Sequence, residues 1–265
     1  MITASSLYGY NIHEVKPALW TALYVLIFKV HPWATKPVRM LCPEANEKMS
    51  VSKSWDWNAE KDNVWLIPGE ESHYIAYRWK EAGFKDLLDF GCGLGRHSIF
   101  FANYGFCVSA FDLSSDGVRH LREWANREGL CIDTRVADML QLPYSDSSFD
   151  CLFAYHVASH TDTRGMNVIL REIKRVLKPG GEFYLTLCSK ETWSFTEAGY
   201  PRLDENTIVK TDEGPEKDIP HFHVNLDDVL RLFSDFTLLD VRHTNDCFLE
   251  GRKQDSKHFF ILGKK

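Results

Sequence analysis

Asp89-Phe90-Gly91-Cys92-Gly93-Leu94-Gly95 ends a short apolar run, Leu87 to Phe90, and opens a helical pattern through Ile99, Phe100 and Phe101 to Tyr104. Glycine lets main chain approach a ligand where a Cβ would clash, and the helix start beyond it presents free N–H groups. The segment reads as strand, ligand loop and helix. A dinucleotide fingerprint would place its third glycine three residues after the second, but the glycines fall at 91, 93 and 95 and position 96 is arginine. That spacing disfavours a nicotinamide cofactor.

Outward from this loop, strand patterns at Cys107–Phe111, Asp133–Val136, Asp150–Ala154 and Glu182–Leu187 alternate with helical ones at Val118–Arg127 and Met166–Leu177. A further helical pattern, Glu70–Ala82, comes before the loop, and Lys178-Pro179-Gly180-Gly181 is expected to terminate the Met166 helix. The alternation predicts right-handed βαβ crossovers in an α/β, doubly wound fold. About 35 residues then separate Leu187 from a helix at Leu226–Phe233, N-capped by Asn225, and so long a connection predicts a lid over residues 189–223. Phe236–Val241 and His258–Leu262 supply two more strands. Residues 1–48 lack the alternation and carry Pro17, Pro32, Pro37 and Pro43, so they read as an extension to a domain at 49–265, with Met49 a candidate translation start.

Composition narrows the function classes. A hydrophobic share of 44% in 265 residues fills one core, and a net charge of -6 leaves no footprint for nonspecific nucleic-acid binding. The seven cysteines are scattered, with no C-x-x-C, which suits reduced thiols in a cytoplasmic protein. Ala18–Phe28 is apolar but too short to span a bilayer, and it lacks the basic flank and cleavage site of a secretion signal.

Asp112 follows Gly91 by 21 residues, where a carboxylate can accept ribose hydroxyls; capping the next helix is its alternative role, although Ser114 or Ser115 suits that task. A third element, Ala137-Asp138-Met139, precedes Leu142-Pro143, Asp146 and Ser148-Phe149-Asp150. Taken together, Leu87–Ala102, Phe111–Leu113, Ala137–Tyr155 and Arg171–Leu185 resemble the ubiquinone-biosynthesis-like family of class I S-adenosylmethionine-dependent methyltransferases. The likeness is close over Trp65–Leu187 and loose beyond it. It implies a Rossmann-like seven-stranded sheet, mostly parallel with an antiparallel final strand, S-adenosyl-L-methionine as cofactor and a small-molecule acceptor. It also implies Asp89, Gly91 and Gly93 around the methionine moiety, Asp112 on the ribose, Asp138 on the adenine, and Ala154 and Tyr155 beside the sulfonium. Cys92, Gly95, Leu113 and Met139 complete the implied cofactor wall.

An imidazole can remove a proton near neutrality, and Tyr155-His156-Val157-Ala158-Ser159-His160 follows a strand at its carboxyl end. His156 and His160 are therefore candidate bases, with helix capping or packing against the cofactor as the alternative. His221-Phe222-His223 lacks the paired spacing and acidic partners usual among metal ligands, so no metal is expected. Trp55, Trp57, Trp65 and Trp193 suggest an aromatic cage or plain packing. Two other readings remain open: a methyltransferase acting on protein or RNA, and a scaffold that binds the cofactor without catalysis.

Overall fold

A computed structural model describes residues 52–57, 63–246 and 255–265, all inside one compact unit spanning Met49–Lys265. The expectations for residues 1–48, including the Ala18–Phe28 run, lie outside the described residues.

A 3-10 turn at Asn63–Leu66 leads to α1 (Glu71–Glu81), then β1 (Asp86–Phe90), α2 (Arg96–Asn103), β2 (Cys107–Asp112), α3 (Ser115–Glu128), β3 (Asp133–Val136) and β4 (Phe149–Ala154). Next come α4 (Thr163–Val176) and β5 (Leu177–Ser189). β1 pairs in parallel with β2 and β4, β2 with β3, and β4 with β5. The chain closes with α6 (Leu226–Leu232), β9 (Thr237–Asp246) and β10 (Ser256–Lys264). β10 runs antiparallel to both β5 and β9, giving the order β3-β2-β1-β4-β5-β10-β9. This is the mainly parallel sheet with an antiparallel last strand that the resemblance implies.

Side chains alternate across a strand, so successive apolar residues serve opposite faces. Leu88 and Phe90 of β1, Leu152 and Ala154 of β4, and Phe259 and Ile261 of β10 pack with Met166, Ile169, Ile173 and Val176 of α4. Leu87, Cys151, Phe153, Phe260 and Leu262 face the other way, onto Ile75 and Trp79 of α1 and Phe101 of α2. Burying each large α4 side chain stabilises the fold by about 1.5 to 3 kcal/mol. Asp162 caps α4, accepting from Gly165 N at 2.7 Å, and Asn225 caps α6 in a capping box with Asp228. Glu182, 7% exposed, is held by Arg78 and by the Trp79 indole at 3.0 Å.

Two expectations change. α4 ends at Val176, just ahead of Lys178-Pro179-Gly180-Gly181 as expected, but β5 starts at Leu177 rather than Glu182, because Leu177 already pairs with Phe149 and a bulge before Cys151 takes up the extra residues. The 189–223 segment is not a plain loop. It holds α5 (Trp193–Thr196), β6 (Arg202–Asp204), β7 (Thr207–Val209) and β8 (Pro220–Val224). β6, β7 and β8 pair antiparallel in turn, and β8 joins the main sheet at the end of β5 through Cys188↔His223 and Ser189↔Val224. Among the described residues no helix is long and apolar enough to cross a membrane.

Candidate active site

The loops that follow β1, β2, β3 and β4 surround a cavity at the carboxyl edge of the sheet. Gly91 and Gly93 are left-handed, at φ 72° and 53°. A Cβ on Gly91 would run into Val157, and one on Gly93 would stand 2.5 Å from the Trp57 ring. Only glycine combines that backbone with that approach. Asp112 ends β2 with one oxygen accepting from Gly93 N and the other from Ser114 N, each at 2.8 Å. Ser114 is the α3 cap, accepting from Gly117 N, which leaves Asp112 facing the cavity rather than capping. Burial raises its pKa, against the opposing pull of the two backbone N–H groups. Asp138 turns its own loop by accepting from Leu140 N at 2.8 Å.

Eight of the eleven expected cofactor residues line this cavity: Gly91, Cys92, Gly93, Asp112, Leu113, Asp138, Met139 and Tyr155. Asp89, Gly95 and Ala154 do not. Asp89 lies beneath the loop, accepting a short hydrogen bond from Ser98 Oγ, and burial pushes its pKa up to about 7 although Ser98 pulls it back. Gly95 closes the turn through its N–H to Cys92 O at 2.9 Å, and Ala154 faces the core beside Leu152. The period-2 alternation along β1 and β4 turns the Asp89 and Ala154 side chains away from the cavity.

Trp55, Trp57 and Trp65 cover the loop, with ring centroids 5.3 to 5.7 Å apart. Trp193 is not among them and lines an adjoining hollow instead. The indole N–H groups of Trp55 and Trp57 are buried without a partner among the described residues. Arg96 stands over the Trp65 and Tyr155 rings at 5.2 and 5.7 Å and bonds the carbonyls of Val64 and Ile67. His97 Nε2 accepts from Gly69 N at 3.1 Å. Neither Arg96 nor His97 is among the expected site residues, since single basic residues after a glycine loop carry no distinctive spacing.

His156 follows β4 with φ 55°, its N–H donated to Thr186 Oγ1 at 2.7 Å and its ring 4.4 Å from that of His258. Burial, reinforced by His258, holds its pKa well below the ordinary histidine range. Burial likewise lowers His160 to about 3, with His221 adding to the shift and Glu216 opposing it. Both imidazoles are therefore neutral at pH 7. They line the first cavity and, with Trp55 and Trp65, a second that reaches Thr186, Cys188, Lys210, Glu216 and His221. The 189–223 segment thus brings His221 to His160, with ring centroids 4.9 Å apart, whereas His223 packs at a tilt against Phe195 at 4.7 Å. Glu216 and Lys210 escaped the sequence reading because they lie in a charged stretch without periodicity; Glu216 five residues before His221 was the available signal.

Residues 88–185 match the family described as a methyltransferase domain. A methyltransferase of Streptomyces halstedii is 36% identical over 103 residues, 38% of this chain and 36% of that protein. A ubiquinone biosynthesis O-methyltransferase of Xanthomonas axonopodis pv. citri is 28% identical over 149 residues, 56% of this chain and 61% of its own length. The chain thus spans less than two thirds of these curated relatives. Among solved structures, a SAM-dependent methyltransferase of Methanosarcina mazei superposes with a TM-score of 0.56 at 24% identity, covering 68% of this chain and 92% of that one.

Proposed function

We infer that the chain, whose residues 88–185 match the methyltransferase-domain family, is a class I S-adenosylmethionine-dependent methyltransferase that transfers a methyl group to a small molecule held beside the cofactor. The observation that carries this reading is a pair of cavities that share His156 and His160 as a common wall. One suits a nucleoside cofactor and the other an acceptor. The first cavity fits S-adenosylmethionine in three respects: two glycines whose Cβ atoms have no room, a carboxylate at the end of β2, and two indole N–H donors without partners among the described residues. A buried donor left unpaired costs about 1 to 3 kcal/mol, so a ligand rich in acceptors is favoured there.

Bound S-adenosylmethionine supplies an activated methyl group. Gly91 and Gly93 would admit its methionine portion, Asp112 its ribose and Asp138 its adenine, while Tyr155 and the tryptophans exclude water. His156 or His160 would accept the acceptor's proton at a ring nitrogen; burial opposes the charge this places on the ring, and at His160 the Glu216 carboxylate offsets part of that cost. The five described cysteines are thiols, which supports a reducing, cytoplasmic setting. The domain proposed to act is 49–265.

Isothermal titration with S-adenosylmethionine, followed by a labelled-methyl screen against metabolite pools, tests the reading. Binding and transfer to a small molecule are expected. Binding with no transfer to any pool would leave a catalytically silent scaffold, and transfer confined to RNA or protein would overturn the acceptor class.

A further inference from the structure

His160 after β4, Glu216 in the β7–β8 connection and His221 on β8 each turn a ligand atom toward one point, all within 4.8 Å of one another. His221 Nδ1 lies 2.9 Å from Ile219 O, so Nδ1 carries the hydrogen. Its other nitrogen, Nε2, faces Glu216 Oε1 at 3.2 Å, a spacing that a shared proton or a shared metal ion bridges. His160 Nε2 is 3.9 Å from the same oxygen, beyond hydrogen-bond reach. Glu216 Oε2 is taken up by Lys210, which orients the carboxylate and leaves Oε1 for the shared point.

We propose that His160, Glu216 and His221 bind a divalent cation of the zinc type, with one coordination position open to the second cavity. Ligand atoms around tetrahedral zinc stand about 3.3 Å apart, so the observed spacing needs only a modest contraction. The Nδ1 bond of His221 to a backbone carbonyl is the outer-shell contact that orients metal-binding histidines. Two imidazoles and one carboxylate select zinc, cobalt or iron(II) over magnesium or calcium. Spacing alone disfavoured a metal because the second imidazole, His160, is supplied from the loop after β4, far from Glu216 and His221 in sequence. The role of the ion rests on the methyl-transfer reading: a hydroxyl or thiol acceptor taking the open position would be held beside the first cavity, its acidity raised. The site itself does not depend on that reading.

Cobalt(II) titrated into the untagged, metal-free chain provides the test, read by visible absorption and by heat. One equivalent is expected, with d–d bands of nitrogen and oxygen ligation, and zinc should displace it. His160→Ala and Glu216→Gln should each weaken binding at least 10-fold while melting near the parent temperature; His221→Ala is avoided because the ring is buried. Equal affinity in parent and both variants, no binding, or a thiolate charge-transfer band from Cys188 would each overturn the site. Titrating S-adenosylmethionine in the same preparations keeps the readings apart. Cofactor binding without cobalt binding removes the metal alone, and the reverse removes the methyl-transfer reading.

Discussion

At Gly93 a single hydrogen separates a ligand loop from a blocked one. Gly93→Ala adds a Cβ at φ 53° against the Trp57 ring, and S-adenosylmethionine affinity is expected to fall more than 10-fold in a folded protein, read by calorimetry. Asp112→Asn tests the next residue out: losing the charged acceptor should cost about 1 to 3 kcal/mol of cofactor binding. His156→Gln and His160→Gln probe the shared wall, and one of them should lower kcat roughly 100-fold with cofactor affinity nearly unchanged. A parallel loss of cofactor affinity would make that ring a wall of the cofactor cavity rather than a base. Residue roles were legible where spacing and strand position agreed, as at Gly91, Gly93 and Asp112. Asp89 and Ala154 lie outside the cavity lining, because a motif records which residues lie near a loop and the pleat decides which side chains face it.

The added β6–β8 layer is the element that composition concealed. Strands of three residues carry no readable alternation, and Gly214-Pro215 within charged sequence looks like loop. Its hold on α4 is specific. Asp204 accepts from Thr163 N at 3.2 Å and from Thr163 Oγ1 at 2.9 Å, and it also turns its own hairpin by accepting from Asn206 N. Asp204→Ala should therefore loosen the layer from α4, raising KM for the acceptor several-fold while S-adenosylmethionine affinity stays near the parent value. Faster proteolysis confined to residues 200–220 would accompany it. Equal acceptor KM in the variant would show that this layer does not shape the acceptor cavity.

Over the whole molecule, buried neutral histidines set the response to acid. Burial lowers His97 and His156 well below the usual range and His258 to about 4. The unfolded chain therefore binds protons at these rings first, and stability falls as pH drops from about 6.5 toward 4. Asp89, raised to about 7, acts oppositely: the folded state holds its proton, so it favours folding as pH drops across the same interval. His160 and His223, each lowered to about 3, act with those three rings. Together the five outweigh the raised carboxyls Asp89, Asp112 and Asp246, so the urea midpoint, measured with chelator present, should fall between pH 6.5 and 4.5. A midpoint that rises would show these rings are hydrated. A chain beginning at Met49 should show the same urea midpoint and cofactor affinity as the full chain if residues 1–48 stand outside the catalytic domain.

The strand β8 has a mechanical meaning. It is hydrogen-bonded into β5, and Phe222 N also donates to Ser159 O at 2.7 Å. A wall sewn to the central sheet by backbone bonds cannot swing at every turnover, so traffic must pass elsewhere. Residues 52–57, by contrast, are held by rings and by Lys53, which reaches Lys217 O and Asp218 in the connection leading into β8. Those are the cheaper bonds to break. Both cavities share Trp55 and Trp65 as lining, so a single doorway would serve cofactor and acceptor alike. The spent cofactor would then wait behind the methylated product, a queue that stopped-flow tryptophan fluorescence can time against the rate of transfer.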